Sequence, residues 1–249
     1  MIVIVGDTHD DILYFDSVLA NKKEEVILNR YTVSIGTIFS QEVVVVHEMF
    51  SSILTSAVLS HILDKYYIDL VIVVGKCVAV SDGLKDGDIA LATKVIDINT
   101  DLSLLNNVGI AEIPGFDREF SVQDDILNYL AFNLEKREKI DFHRVSYLSS
   151  DNLSSDMLKY LKDNKTIFSK NDELLVIDHN SSGVAIASTL KNTPFVVVKV
   201  IENQLERVNN LDTYSRVLSR YIDLGKSVVS TINDIGRSDI LEEDKHEKD

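Results

Sequence analysis

The polar residues that could do chemistry in this chain follow short apolar segments. Ile2–Val5 is followed by the turn Gly6-Asp7-Thr8-His9-Asp10-Asp11, and Leu175–Ile177 is followed by Asp178-His179-Asn180. Three carboxylates and one imidazole in the first turn could bind a metal ion or transfer protons. The same carboxylates could instead mark the N-terminus of a helix, where the macrodipole favours them.

Further candidates follow two other apolar segments. Lys76-Cys77-Val78 comes after Asp69–Val74, and Asn203 ends the run that starts at Phe195. The Lys76 ammonium could hold an anionic group or extend into solvent. Cys77 could act as a nucleophile only if its pKa were lowered, and the alternative is a buried structural thiol.

His179 has two possible roles. It could donate a proton near neutral pH, or it could be a structural residue with its hydrogen bonds satisfied. A metal-dependent hydrolase built on Asp7, His9 and Asp11 lacks a second ligand cluster at a defined spacing. We therefore expect neither a bound metal ion nor another cofactor.

Apolar strand patterns and helical patterns alternate along the chain. Bare blocks of Val, Ile and Leu are typical of strands that are buried on both faces. The alternation predicts a three-layer α/β/α sandwich around a mixed, largely parallel sheet. The predicted strands are Ile2–Val5, Tyr31–Ile38, Glu42–His47, Leu70–Val74, Asp88–Ile96, Arg144–Leu148, Leu174–Ile177 and Phe195–Val200. The predicted helices are Ser51–Lys65, Val122–Lys136, Ser155–Lys162, Ser181–Leu190 and Thr213–Ile232.

Composition limits the classes of partner. The chain has 249 residues, of which 45% are hydrophobic, and its 40 acidic and 25 basic residues give a net charge of -15. That charge repels phosphate backbones and anionic lipids, so we expect neither a nucleic acid nor a membrane as partner. A single cysteine and no uncharged stretch of roughly 20 residues favour a cytoplasmic protein. We expect one domain over residues 1–235 and a charged, disordered tail over residues 236–249.

Several of these segments carry a family resemblance. Leu175–Ala187 is similar to the pattern V-E-M-E-x-x-A-x-A, and Thr193–Asn203 is similar to P-F-V-V-V-R-x-I-S-D. Asp69–Val80 and Leu148–Leu153 are similar to P-D-x-V-I-N-x-G-S-A-G-G and V-S-G-D-x-F. These are patterns of the nucleoside phosphorylases and of the methylthioadenosine/S-adenosylhomocysteine nucleosidases. The resemblance implies a nucleoside phosphorylase-like fold.

The resemblance assigns two catalytic positions. In that family the turn after the first strand reads G-A-M-E-E-E, and its last glutamate, which holds the attacking water, matches Asp11. The catalytic aspartate that protonates the purine leaving group falls on Asn203. An amide cannot donate a transferable proton.

The resemblance also assigns the substrate-binding positions. The ribose-binding Met-Glu pair falls on His179-Asn180, with Asp178 before it, and an amide accepts hydroxyl hydrogens more weakly than a carboxylate. Lys76-Cys77-Val78 replace small residues that let the backbone approach the substrate. Leu153 replaces an aromatic ring that stacks on the purine.

Two hypotheses on function follow. The first is a divergent methylthioadenosine/S-adenosylhomocysteine nucleosidase-like protein that hydrolyses or binds the N-glycosidic bond of a purine nucleoside. The second is a catalytically inactive member that acts as a ligand-binding or structural protein, so whether the chain is an enzyme stays open. Glu48–Thr55 replaces a glycine-rich family segment and contains no glycine, lysine or arginine, which favours hydrolysis over phosphorolysis.

The expected partners are a nucleoside or related small molecule and a second copy of the chain. The resemblance implies a homodimer in which a loop of one subunit closes the pocket of the other, and the loop before Pro114-Gly115 stands at the matching place. We expect the interface to bury apolar helix faces that include Ile53, Val58 and Ile62.

Overall fold

The computed structural model describes residues 1–105, 107–169, 173–202 and 211–237. The strands are β1 (Ile2–Val5), β2 (Ala20–Ile27), β3 (Tyr31–Ile38), β4 (Gln41–Val46), β5 (Leu70–Val73), β6 (Lys76–Ala79), β7 (Ile89–Asp97), β8 (Phe120–Ser121), β9 (Phe142–Ser149), β10 (Leu175–Asp178) and β11 (Phe195–Ile201). The helices are α1 (His9–Val18), α2 (Ser52–Lys65), α3 (Asp124–Phe132), α4 (Ser155–Asp163), α5 (Lys165–Phe168), α6 (Ser181–Leu190) and α7 (Leu211–Ile235), and a π-helical segment (Asn133–Glu138) continues α3.

These strands form one mixed sheet in the order β2-β3-β4-β1-β5-β11-β6-β10-β9-β7-β8. β1 runs parallel to β4 and β5, with Ile2 opposite Val43 and Leu70. β11 pairs in parallel with β5 and β6 and antiparallel with β7. Because β6, β10, β9 and β7 also pair in that order, they close a ring of strands with β11.

Helices cover the sheet and bury its central strands. Every residue of β1, β5 and β11 is buried, which explains why β1 and β5 are wholly apolar and why β11 is apolar apart from Lys199. α2 packs on α6, while α1 packs on α7. The predicted three-layer α/β/α fold is confirmed.

Close contact between α2 and α6 depends on Gly183. A Cβ atom at this position would lie 2.2 Å from the carbonyl oxygen of Ser52. This packing buries Val58 and Ile62 inside the subunit. Our prediction that these two residues form a dimer interface is therefore wrong, whereas Ile53 is exposed.

All the predicted strands are present, but the sequence patterns missed others. β2 contains Lys22, Lys23, Glu24 and Glu25 and is mostly exposed at the edge of the sheet, so it has no apolar pattern. β6 occupies Lys76–Ala79, a segment that is not among the predicted strands. Most of the predicted tail lies outside the described residues. Among the helices that the structure describes, none has the length and apolar character needed to cross a bilayer.

Candidate functional site

The candidate site lies where the carboxyl ends of several parallel strands meet. Asp7 follows β1, Asp178 ends β10 and Asn180 precedes α6. Lys199 reaches the same place from within β11. Ligands of open α/β sheets gather at such an edge, because loops and helix N-termini converge there.

The Lys199 ammonium is the centre of a buried polar cluster. Its Nζ lies 3.0 Å from Asp7 Oδ1, 2.9 Å from Asp178 Oδ2 and 2.7 Å from Asn180 Oδ1. All four residues are fully buried. We call Asp7, Asp178, Asn180 and Lys199 the Lys199 cluster.

Electrostatic attraction holds the cluster in its charged form. Burial works against the Lys199 ammonium, but the carboxylates of Asp178 and Asp7 outweigh it and raise the pKa of Lys199. Burial also works against the Asp178 carboxylate, but Lys199 and the Ser181 hydroxyl outweigh it and lower the pKa of Asp178. The cluster therefore contains one ammonium and two carboxylates.

Other hydrogen bonds connect the cluster to the neighbouring loops. Asn180 Nδ2 donates to Asp7 Oδ1 at 2.7 Å and to the Met49 carbonyl oxygen at 2.9 Å. The Lys76 backbone N–H donates to Asp7 Oδ2 at 3.0 Å. Gly75 is required beside them, because its φ is +141° and a Cβ there would lie 2.4 Å from Asp7 Oδ2.

Asp11 lies at the start of α1 and is buried. Its Oδ2 accepts hydrogen bonds from the Thr8 N–H at 2.6 Å and from the Thr8 hydroxyl at 2.9 Å. Thus Asp11 caps its own helix, as the helix-terminus interpretation predicted. Burial, followed by repulsion from Asp7, raises the pKa of Asp11 to about 6.

His179 offers an unpaired polar atom. The residue is 9% exposed, and its buried Nε2 has no hydrogen-bond partner in the described part of the chain. Its ring stacks on Phe50, with a centroid distance of 6.3 Å and an interplanar angle of 17°. Burial lowers the pKa of His179, so the ring is neutral at pH 7 and the general-acid interpretation loses support.

The other predicted substrate-binding residues occupy different surroundings. The Lys76 Nζ is half-exposed and lies 3.9 Å from a Glu202 carboxylate oxygen. Cys77 is buried, and this burial raises the pKa of its thiol to about 12, as expected of a structural cysteine. Val78 and Leu153 line a small, mostly apolar niche of about 10 Å³, together with Ser154, Leu158 and Ile177.

The structure brings most of the predicted site residues that it describes to one edge of the sheet. Asn203 lies outside the described residues. The sequence analysis considered Asp7 only as a possible metal ligand or proton-transfer group and assigned no role to Lys199. One lysine in the apolar strand Phe195–Ile201 is itself an indication of a buried ion pair. His9 packs edge-on against His47 at 5.3 Å. Within the described ranges, no group of three or more His, Cys, Asp or Glu is arranged to hold a metal ion.

Comparison with known proteins identifies the family. The family model of the phosphorylase superfamily matches residues 1–231, and the chain therefore belongs to this superfamily. The 5′-methylthioadenosine/S-adenosylhomocysteine nucleosidase of Buchnera aphidicola subsp. Acyrthosiphon pisum is 25% identical over 208 residues, which cover 79% of this chain and 85% of the relative.

Solved structures share the fold. The 5′-methylthioadenosine/S-adenosylhomocysteine nucleosidase of Neisseria meningitidis, in complex with methylthio-immucillin-A, has a TM-score of 0.81 at 15% identity and covers 94% of this chain and 98% of its own. The S-adenosylhomocysteine nucleosidase of Streptococcus pyogenes, in complex with 5-methylthiotubericidin, has a TM-score of 0.80 at 15% identity and covers 94% of this chain and 96% of its own. The predicted nucleoside phosphorylase-like fold is therefore confirmed.

Replacing Lys199 should strongly destabilise the fold. Lys199→Met leaves two buried carboxylates without their cation, and breaking a buried ion pair costs about 3–5 kcal/mol. Urea unfolding at pH 7 measures the loss. Lys191→Met is the matched control, because Lys191 pairs with Asp64 at the surface, where an ion pair contributes about 0–1 kcal/mol. Equal losses in the two variants would contradict a charged, buried cluster.

Replacing Asp11 should stabilise the protein at neutral pH. Its pKa is about 6 in the folded protein against 3.8 for a free side chain, so folding loses stability as pH rises through this interval and the carboxyl ionises. Asp11→Asn should therefore increase the free energy of unfolding at pH 7 by on the order of 1–3 kcal/mol and flatten its pH dependence between these values. Urea titrations across this range measure both effects.

The control for this variant is Asp10→Asn. Asp10 is exposed in the same helical turn, so its replacement removes only a favourable helix-dipole contact and should destabilise by about 0.3–1 kcal/mol. Stabilisation by both variants, or by neither, would contradict the assignment of an unfavourable buried charge to Asp11.

Proposed function

We propose that this member of the phosphorylase superfamily binds a purine nucleoside of the 5′-methylthioadenosine type and hydrolyses its N-glycosidic bond. The nucleosidase-like fold and the convergence of Asp11, His179 and the Lys199 cluster at one edge of the sheet support this proposal. The complexes of two relatives with methylthio-immucillin-A and 5-methylthiotubericidin support the choice of ligand class.

The observation that carries the proposal is the pattern of hydrogen bonds at the Asp11 carboxylate, together with its raised pKa. The Thr8 hydrogen bonds both end on Oδ2, and we assign Oδ1 to the attacking water. A carboxyl with a pKa of about 6 is ionised at pH 7 and is a stronger base than an ordinary aspartate. The water transfers a proton to Asp11 while its oxygen bonds to C1′ of the sugar.

The leaving group departs without strong assistance. The bond from C1′ to the purine nitrogen breaks, its electron pair stays with the purine, and the purine takes a proton from solvent. By resemblance, Asn203 stands where an acid would give this proton, and loss of a general acid typically lowers a rate by about 10²- to 10⁴-fold. We therefore expect slow turnover.

We assign the purine to the apolar side chains around Val78 and Leu153. Their surface is mainly aliphatic, so it can exclude water from the base without an aromatic stacking ring. The niche between them has a volume of about 10 Å³, room for roughly one water molecule, whereas ligand pockets usually measure about 300–1,000 Å³. Binding of the base therefore requires these side chains to move apart.

A second candidate function is ligand binding without turnover. The contacts of Asp7 and Asn180 favour it, because both side chains are engaged within the Lys199 cluster. A protein in which these two side chains are engaged with each other and with Lys199 could still bind the purine base. Binding and release of the base must therefore be measured on the same preparation.

The decisive assay measures release of adenine from 5′-methylthioadenosine and from adenosine, and release of hypoxanthine from inosine. Each reaction is run with and without phosphate. We expect slow release without phosphate, with a rate that rises as pH increases through about 6, because Asp11 must be ionised. Asp11→Asn should lower this rate at least about 10²-fold, whereas Asp10→Asn should retain it.

The alternatives give different results in this assay. Strict dependence on phosphate with formation of ribose 1-phosphate would contradict hydrolysis. Binding of a purine nucleoside by calorimetry, with no release of base, would establish the second candidate function in place of the first. If no nucleoside binds and none reacts, both candidate functions are overturned.

We also propose that the protein is a homodimer. Phe50, Ile53 and Leu54 expose apolar side chains around the start of α2, beside the candidate site. Ile53 and Leu54 lie in the first turn of α2, and Phe50 precedes the N-cap residue Ser51, so all three lie at the N-terminal end of this helix. The cytoplasmic location stays a prediction.

Light scattering at micromolar concentration tests the assembly. We expect twice the chain mass of 27.9 kDa, and we expect Ile53→Asp to shift the protein toward the single-chain mass, because it places a charge in the apolar contact. Leu190→Asp, at the exposed C-terminal end of α6, should leave the dimer intact. A wild-type protein of single-chain mass would contradict the proposal.

A further inference from the structure

A larger pocket lies between the end of α3 and the end of α7. It has a volume of about 520 Å³, within the roughly 300–1,000 Å³ that is usual for small-molecule sites. We call it the α3–α7 pocket. Its lining residues are Asn128, Tyr129, Phe132, Arg137, Asp234 and Arg237.

The course of α7 separates this pocket from the candidate site. Tyr221 in α7 is close enough to Asp11 that, after burial, the Asp11 carboxylate contributes to its raised pKa. Asp234 lies further along the same helix, roughly 20 Å from Tyr221 at a rise of about 1.5 Å per residue. The α3–α7 pocket is therefore a separate site.

Two aromatic rings form the apolar part of the pocket. Tyr129 and Phe132 are three residues apart in α3, so their side chains share one face of the helix. Phe132 is 52% exposed, so much of its ring is uncovered by the described part of the chain. An aromatic ligand would cover this surface and gain stacked or edge-to-face contacts.

Arg137 is held in place at the polar side of the pocket. Its Nη2 donates to Asp234 Oδ1 at 3.1 Å, and Asp234 Oδ2 accepts from Asn133 Nδ2 at 3.1 Å. Asn133 is fully buried and also donates to the Thr231 hydroxyl at 2.9 Å. Arg137 and Asn133 both belong to the π-helical segment, and such segments occur frequently at functional sites. These contacts fix the Arg137 guanidinium and leave several of its five N–H donors for a ligand.

Hydrogen-bond donors and positive charge dominate the polar lining. Arg237 forms no ion pair with any residue in the described ranges, whereas Asp234 is engaged by Arg137. Asn128 Oδ1 accepts from Arg144 at 2.9 Å, so its amide hydrogens are the part that can contact a ligand. Two guanidinium groups against one carboxylate make this lining positive, although the chain has a net charge of -15.

We propose that the α3–α7 pocket binds a small aromatic carboxylate. A planar carboxylate matches the fork of N–H donors on a guanidinium, and Arg137 and Arg237 supply two such forks. The aromatic body of the ligand covers Tyr129 and Phe132. An inorganic anion would leave these rings uncovered, and an uncharged ring would leave the guanidinium groups without an acceptor. This site does not depend on the proposed nucleoside site.

Titration calorimetry of the full chain with 2-naphthoate tests the pocket, and 2-naphthamide is the matched neutral ligand. The two molecules share one ring system and nearly one shape, so they differ mainly in charge. We expect 2-naphthoate to bind at least about tenfold more tightly, because hydrogen bonds to a charged acceptor are the stronger kind. Inorganic phosphate, which has charge but no ring, should not bind measurably.

Two variants locate the binding. Arg237→Gln should weaken 2-naphthoate by about tenfold and leave 2-naphthamide unchanged, because it removes one exposed cation of the lining. Phe132→Ser should weaken both ligands alike, since both lose a ring contact. Arg30→Gln is the control for net charge, because Arg30 lies over the Tyr31 ring between β2 and β3. It should leave both affinities unchanged.

The outcomes separate this inference from the proposed function. Equal affinities for 2-naphthoate and 2-naphthamide, or equal losses in Arg237→Gln and Arg30→Gln, would overturn the pocket as a carboxylate site. Loss of 2-naphthoate binding in Asp11→Asn, with none in Arg237→Gln, would place the ligand at the candidate nucleoside site and overturn the inference. Absence of 2-naphthoate binding to the wild type would also overturn it. None of these results bears on release of a purine base.

Discussion

A lysine ammonium buried at the end of the sheet is the constraint on which the site depends. An isolated charge cannot remain ionised in an apolar interior, so Lys199 requires carboxylates within hydrogen-bond distance. Asp7 comes from the end of β1 and Asp178 from the end of β10, so the ion pairs join both strands to β11. The cluster can therefore form only where these three strands are assembled in the order of the sheet.

The same electrostatics determine the chemistry next to the cluster. Asp7 is close enough to disfavour the charge on Asp11, and burial disfavours it further. The outcome is a carboxyl that costs stability when it ionises near pH 6 but is a better base there. A structural ion cluster and a candidate general base are therefore coupled through one residue, and a change at Asp7 alters both stability and reactivity.

The sequence predicts the sheet better than the contacts at its edge. β1, β5 and, apart from Lys199, β11 are apolar because both of their faces are covered, and that pattern is local. β2 could not be found in this way, since its exposed lysines and glutamates depend on an edge position that only the assembled sheet defines. The meeting of polar residues at the carboxyl ends was predictable. The pairing of Lys199 with Asp7 was not, because it joins residues 192 positions apart and needs the strand order.

Fold and site chemistry depend on different residues, which explains how a chain can belong to a family and depart from it. The apolar strands determine the sheet, and relatives at 15% identity share it. At the polar edge the fold requires that the Lys199 ammonium be matched by carboxylates within hydrogen-bond distance, and Asp7 and Asp178 supply them. The apolar strands and this charge balance satisfy folding, and neither of them requires that the edge recognise a particular ligand.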